Sequence, residues 1–489
     1  MSLFLKKPLS AFEDDMKKSE MKRVLGKWSL TAIGIGAIIG GGIFVLTGTG
    51  AYFHAGPALA LSFVIAGVAC VFAALCYSEF ASMIPVEGSA YAYAYGTIGE
   101  LFAWVIGWGL ILEYAMGSMT VAVSWSGYFN KLLHLFNLHL PTYLTQDPGS
   151  YSGSGFAMNL PATIIVLLIT ALLVKGTKEA AKANNFIVIL KVAAVLFVIV
   201  AGAFYINIEN WAPFIPEVSQ VTNNGETHDA YGWAGVISGA AAIFFAYVGF
   251  DAVSTQAGEA INPKKDVPFA IIMSLLVCTV LYILVSLVLT GMMNYTDFNP
   301  AGKYPDAIKA PVAAAFDLAG MPWAVFIITV AATVGLISVM MVMLLGQSRI
   351  FMGMSKDGLI PSFFSHLHPK NKTPYKSNIL IGAIVAIVAG FTPISTLADM
   401  TSFGTLFAFT MVCAAVWLLR IKEPNLQRNF KVPALPLIAI LGIGINVFLM
   451  SQLNLHAIQL SGAWLLLGVL IYFVYSKQNS KLRKAANLK

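Results

Sequence analysis

Four groups of residues in this chain have types and spacings that could bind or carry charge. The first is GIGAIIGGGIF, Gly34 to Phe44, with three consecutive glycines at Gly40–Gly42. Glycine costs a helix roughly 1 kcal/mol per residue relative to alanine, so the run predicts that a helix stops here. Close packing of neighbouring helices through small residues is the other use of such a run. A stopped helix leaves N–H groups without partners, and the helix that resumes points its positive dipole end into the gap. A carboxylate meets both demands, which nominates the N–H groups of Gly41, Gly42 and Ile43. The second group is IFFAYVGFD, Ile243 to Asp251. A break at Ala246–Gly249 would free the carbonyls of Phe245, Ala246 and Val248 for an ammonium group, with Phe245 or Tyr247 as a cover. Asp251 follows directly and needs a partner or water. The third is Lys191, in FIVILKVAA. A lysine held in an apolar interior can exist uncharged, so it could load and release a proton. The fourth is Glu113, in WGLILEYAM, with Glu79 and Glu100 in lesser positions. Glu113 and Asp251 suit recognition of a side chain or a proton relay; a structural polar network fits Glu113 equally well.

The elements that must hold these residues follow from composition. Of 489 residues, 58% are hydrophobic and 11% charged, against roughly 25% charged in a soluble domain. A bilayer must therefore be the solvent for most of the chain. A spanning helix needs roughly 20 apolar residues. Such runs fall near 29–50, 57–83, 99–129, 159–175, 184–206, 232–258, 268–292, 321–350, 378–392, 394–420, 433–451 and 456–476, with Pro393 in the very short link between the ninth and tenth. The chain reads as an all-α integral membrane protein of about twelve transmembrane helices. Ten look continuous; spans one and six look broken.

With both termini placed in the cytoplasm, 26 of the 30 lysines and arginines fall on the inner side. Only Lys131, Lys303 and Lys309 fall outside, and Lys191 lies within a span. Positive charge accumulates in cytoplasmic loops, so the net charge of +7 has a cause that involves no nucleic acid. The expected location is the plasma membrane, multi-pass. Cys70, Cys76, Cys278 and Cys413 all lie in apolar runs, so no disulfide-linked subunit is expected; a small membrane subunit or a bound lipid is compatible with the sequence. No metal spacing and no Ser–His pair occurs within the spans, so an intramembrane enzyme is not expected.

GKWSLTAIGIGAIIGGGIF from Gly26 resembles GWAGVISGAAAIFFAYVGF from Gly232. Both open on a Gly–Trp or Gly–Lys–Trp element and reach a small-residue break. In oppositely oriented spans this is the mark of an inverted repeat, with the cargo site between the breaks. The organisation expected is a cytoplasmic segment 1–28, a first five-helix repeat 29–206, an extracellular loop 207–231, a second repeat 232–420, helices eleven and twelve at 421–476, and a cytoplasmic tail 477–489.

The broken span one, VGFD followed by GEAINPKK (Gly258 to Lys265), and SRIFMGMSKDGLIP (Ser348 to Pro361) together resemble the cationic amino acid transporter family of the amino acid–polyamine–organocation superfamily. GWGLILEY from Gly107 and DMTSFGTL from Asp399 are similar to it too. The resemblance covers roughly residues 25–475. It implies the five-plus-five inverted-repeat fold of the sodium-coupled leucine transporter type plus two C-terminal helices. It also implies a central site on spans one, three, six, eight and ten. Carried over, the substrate backbone meets Ile38, Gly41, Gly42 and Ile43 on span one and Phe245, Ala246 and Val248 on span six. Ser118, Met341 and Ser402 or Thr405 approach its side chain. Animal members carry a neutral residue where this chain has Lys191, whereas some bacterial relatives place a lysine there. The paired span-eight hydroxyls of sodium sites are missing too, Ser338 being followed by Val339. The expectation is an importer of an L-amino acid by proton symport with alternating access, driven by the proton gradient without a cofactor. The cargo would be small and neutral, such as alanine, or cationic, such as arginine. The alternative is a proton-independent exchanger or uniporter.

Overall fold

The computed structural model describes residues 5–8, 25–83, 89–175, 177–223, 226–369 and 373–487. Of the expected segment 1–28, residues 1–4 and 9–24 lie outside this set. So do Lys370, Lys372 and Lys489, along with the side chains of Lys178 and Lys182.

Eight described helices are long and apolar enough to cross a membrane, and three shorter apolar helices accompany them. These eleven fall on runs two to twelve read above, the first of them, Leu46–Met83, also taking in the end of run one. Span one comprises Lys27–Ile38 and, after an interruption, Gly41–Phe44, Leu46–Gly50 and Ala51–Ala55. Spans two to five are Leu59–Met83, Glu100–Leu135, Leu160–Lys175 and Thr177–Ala203. Span six is an α-helix over Gly232–Ala242, a 3-10 turn over Ile243–Tyr247, and a second 3-10 segment over Asp251–Glu259. Spans seven to twelve are Pro263–Met292, Pro322–Lys356, Tyr375–Phe391, Ile394–Lys422, Leu435–Ser451 and Leu455–Ile471. Proline opens spans seven, eight and eleven within the first turn, where its missing N–H costs nothing. Spans three and eight run to Leu135 and Lys356, past the expected 129 and 350. At 36 and 35 residues and roughly 1.5 Å per residue they exceed a hydrocarbon core of about 30 Å. Their ends therefore project beyond it.

Spans one and six run in opposite directions. The start of span one lies beside the end of span six, where the Ile261 N–H donates to the Leu25 carbonyl at 2.9 Å. The end of span one lies beside the start of span six, where the Tyr231 N–H donates to the His54 carbonyl at 2.6 Å. Several described elements were not foreseen, three of them next to the spans that carry the site. Residues 206–231 contain an antiparallel hairpin, β1 Ser219–Asn223 and β2 Glu226–Ala230, in which Val221 pairs with His228. Short helices Ser89–Thr97 and Pro311–Leu318 precede spans three and eight.

Candidate functional site

The two interruptions face each other. Span one loses helical geometry at Ile39 (ψ 103°) and Gly40 (φ −155°, ψ −145°), so Gly41 and Gly42 already belong to the resuming helix. Span six turns extended at Val248 (ψ 131°) and passes through Gly249 at φ +122°, a conformation that side chains disfavour. A methyl on Gly42 would lie 2.3 Å from Ala246 Cα, and one on Gly249 would lie 2.8 Å from the Ala37 carbonyl carbon. The backbones touch at both points, and only glycine permits it.

Unwinding strands carbonyls at the end of the first half of span one, and in an apolar interior each needs a donor. Lys191 on span five supplies two. Its Nζ donates to the Gly36 carbonyl and, at 2.9 Å, to that of Ile39. The side chain is fully buried and its stem lies against Gly335 of span eight, where a methyl would come within 2.6 Å of Lys191 Cγ. Tyr282 on span seven donates to the Ile38 carbonyl at 2.8 Å, and Tyr128 on span three to that of Phe44 at 2.8 Å. Neither tyrosine was nominated from sequence; a tyrosine deep inside an apolar run was the available signal.

On the span-six side, the Phe245 N–H donates to Ser402 Oγ at 3.1 Å, so span ten fixes the break. The Phe245 carbonyl accepts from the Val248 N–H at 3.1 Å. The Phe245 ring lies 3.7 and 3.8 Å from where methyls on Gly41 and Gly117 would sit. Tyr247 turns away, donating to the Phe63 carbonyl of span two at 2.7 Å. Of the two aromatic rings, it is that of Phe245 that stays beside the breaks. Ser118 donates to the Tyr114 carbonyl at 2.7 Å and Thr405 to the Thr401 carbonyl at 3.0 Å, so both hydroxyl hydrogens are engaged within their own helices. Met341 is buried, but the methionine beside Gly117 is Met343, whose Sδ lies 3.6 Å from the methyl position. Two residues along a helix turn about 200°, so the two methionines face different sides. All these side chains are closed off: Ile38, Ile43, Phe245, Ala246 and Val248 are at most 4% exposed.

Toward the face that carries the termini lie Glu113 and Asp251. Both oxygens of Glu113, and Oδ1 of Asp251, are buried without a hydrogen-bond donor among the described residues. Tyr114 donates to Asp251 Oδ2 at 3.0 Å. Thr405, Asp251, Tyr77 and Tyr114 are among the polar neighbours of Glu113, and the Thr405 hydrogen is already given to Thr401. Glu79 and Glu100 are different. Glu79 pairs with Arg420 and, at 3.1 Å, with Arg428, and Glu100 with Arg483. Among the described residues no group of histidine, cysteine or carboxylate side chains could hold a metal.

The sequence model of the amino acid permease family matches residues 25–475. The chain belongs to the amino acid permease family. It is 46% identical to the branched-chain amino acid permease BcaP of Bacillus subtilis (strain 168), over 96% of each chain. It is 45% identical to the methylthioribose transporter of the same organism, over 99% of this chain and all of the relative. It is 37% identical to the cationic amino acid transporter 4, vacuolar, of Arabidopsis thaliana, over 83% of this chain and 64% of that one. This permease is therefore a multi-pass membrane transporter and not an enzyme.

Proposed function

We propose that this permease is a proton-coupled symporter of a neutral L-amino acid with a small or moderate apolar side chain. The observation that carries the reading is the lysine bridge: a buried ammonium bound to the Gly36 and Ile39 carbonyls at the break in span one. Loss of a proton from Lys191 weakens both bonds at once, which links its protonation to the geometry of the break.

The amino acid's α-carboxylate takes the N–H groups of Gly41, Gly42 and Ile43, and its ammonium takes span-six carbonyls at Phe245, Ala246 and Val248. Ile38 flanks this site. The wall facing the side chain holds the Phe245 ring, Met343 and Gly117, and the hydroxyls of Ser118 and Ser402 are engaged. That surface favours an apolar group over a guanidinium. Met341 and Thr405 lie further along the same helices. Glu113 and Asp251 serve as a relay between this site and the terminal face. Driven by an inward proton gradient, transport is inward.

The relatives named for branched-chain amino acids and for methylthioribose set the competing cargoes. Uptake into proteoliposomes, with and without an inward proton gradient, is measured for the twenty amino acids and methylthioribose. Gradient-driven uptake of alanine or a branched-chain amino acid is expected. Methylthioribose uptake with no amino acid uptake, or amino acid counterflow indifferent to the gradient, would overturn the reading.

A further inference from the structure

Away from the breaks, the hairpin of β1 and β2 joins span one to span six a second time. A helix leaves its last carbonyls without donors of its own. Span one ends at Ala55, and the Gly56 N–H takes the Ala51 carbonyl. The next three carbonyls all accept from residues 228–231. The Tyr231 hydroxyl donates to Tyr52 at 2.7 Å, His228 Nε2 to Phe53 at 2.9 Å, and the Tyr231 N–H to His54 at 2.6 Å. A carbonyl can only accept, so Nε2 of His228 carries the hydrogen.

Tyr231 reaches two of these carbonyls from φ +68° and ψ −167°, a conformation nearly confined to glycine that persists only where its surroundings enforce it. Its ring packs edge-on against Tyr295, with centroids 5.1 Å apart, and it forms a buried cluster with Phe53, Val221 and Ala230. Val221 and His228, paired across the hairpin, face span one, while Thr222 and Thr227, next along the strands, are exposed. Below this cap the second half of span one lies along the first half of span six. A methyl on Gly235 would lie 2.3 Å from the His54 carbonyl oxygen, and one on Gly50 2.9 Å from Ile243 Cγ2. His54 Nδ1 lies 3.2 Å from Ser238 Oγ, whose own hydrogen goes to the Gly235 carbonyl. Together with the touch of Gly42 on Ala246, these contacts run unbroken from the capped end to the break.

We propose that His228 and Tyr231 are positioning residues for the cargo. By capping the end of span one they fix its second half against span six. That fixes where the N–H groups of Gly41, Gly42 and Ile43 sit relative to Phe245. Both residues act through span one, and the hold is kept through the transport cycle. The proposal rests on the reading of those N–H groups as the carboxylate site.

The test is an introduced cross-link. Cysteines at Ala55 and Gly239 would have Cβ atoms 3.3 Å apart, close to the roughly 3.5–4.5 Å of a disulfide. The native Cys70, Cys76, Cys278 and Cys413 are all buried, and the parent protein reports the background. Copper phenanthroline closes the cross-link in Ala55→Cys/Gly239→Cys, read as loss of maleimide labelling after denaturation. Alanine uptake into proteoliposomes should then continue at no less than about half its rate. Abolished uptake overturns the proposal, because the two ends would have to part in each cycle. Adding His228→Ala and Tyr231→Phe should slow cross-linking about tenfold; an unchanged rate overturns the cap. The same two changes should raise the KM for alanine about tenfold and lower kcat less, and closing the cross-link in that background should bring the KM back. An unchanged KM in a folded variant overturns the positioning role. His228→Gln, which can donate to the same carbonyl, should keep the parent KM, and Thr222→Ala, on the exposed face, should change nothing. If the double variant does not fold, Tyr231→Phe alone is read in the same way. If the parent moves no alanine, the symport reading fails by itself, while the cross-linking rate still reports the cap.

Discussion

Glu100 and Glu113 stand on the same helix, both fully buried, and their surroundings are opposite. Glu100 accepts from Tyr95, Tyr472, Ser480 and Arg483. Glu113 has no donor on either oxygen among the described residues. A buried charge that is fully paired belongs to the architecture, and taking one partner away is costly. A buried carboxyl left without donors costs stability, and groups of that kind within membrane spans mark transport pathways. One acid is filled on every oxygen; the other has no donor among the described residues.

Four measurements press on that contrast. The largest effect belongs to Lys191→Ala, which should abolish gradient-driven uptake while counterflow survives; unchanged gradient-driven uptake would remove Lys191 from the coupling role. Glu113→Gln comes next. It should cut uptake by at least about tenfold with the thermal midpoint held or raised, since an amide loses no partner there. If the midpoint falls as far as in a Glu100 variant, Glu113 is architectural after all. Glu100→Ala should lower stability by about 3–5 kcal/mol, the range for breaking a buried ion pair, read from thermal unfolding in detergent. A loss below about 1 kcal/mol would mean that the pair is solvated. The smallest effect belongs to Ser402→Ala. Removing the acceptor for the Phe245 N–H should cost about 1–3 kcal/mol and raise the cargo KM more than it lowers kcat; an unchanged KM would detach Ser402 from the break.

The spans were legible because a bilayer imposes apolar length on the sequence, and the break in span one because a glycine triplet has few other uses. Span six was placed to within a residue or two by its resemblance to span one; its α-helix ends earlier, at Ala242, because the 3-10 turn tightens before the chain extends at Val248. Lys191 was visible as the one basic residue inside a span. Its partners were not, because a sequence does not say which carbonyls a lysine reaches. Arg428 and Arg483 show the limit most clearly. Counted as loop charges, they set the expected orientation by number, yet Arg428 closes on Glu79 and Arg483 on Glu100. Those pairings join positions hundreds of residues apart, which no local pattern encodes. Tyr247 is the reverse case: beside the break in sequence, it leaves for span two in space.

The joint between spans three and twelve has an optical consequence. Trp108 and Trp464 stack with ring centroids 4.6 Å apart, and each indole donates to the other's carbonyl, at 2.8 and 3.2 Å. Trp104 stacks on Trp108 at 5.5 Å and donates to the Gly468 carbonyl at 2.8 Å. Its other neighbour is Tyr472, 6.1 Å away, whose hydroxyl binds Glu100. Indoles held this close share their excited states, so the near-ultraviolet circular dichroism of the unlabelled protein should carry a coupled tryptophan band. Because the ladder ends on Tyr472, whose hydroxyl binds Glu100 and accepts from Arg483, Arg483→Ala would alter that band, giving the resting protein its own spectroscopic signal.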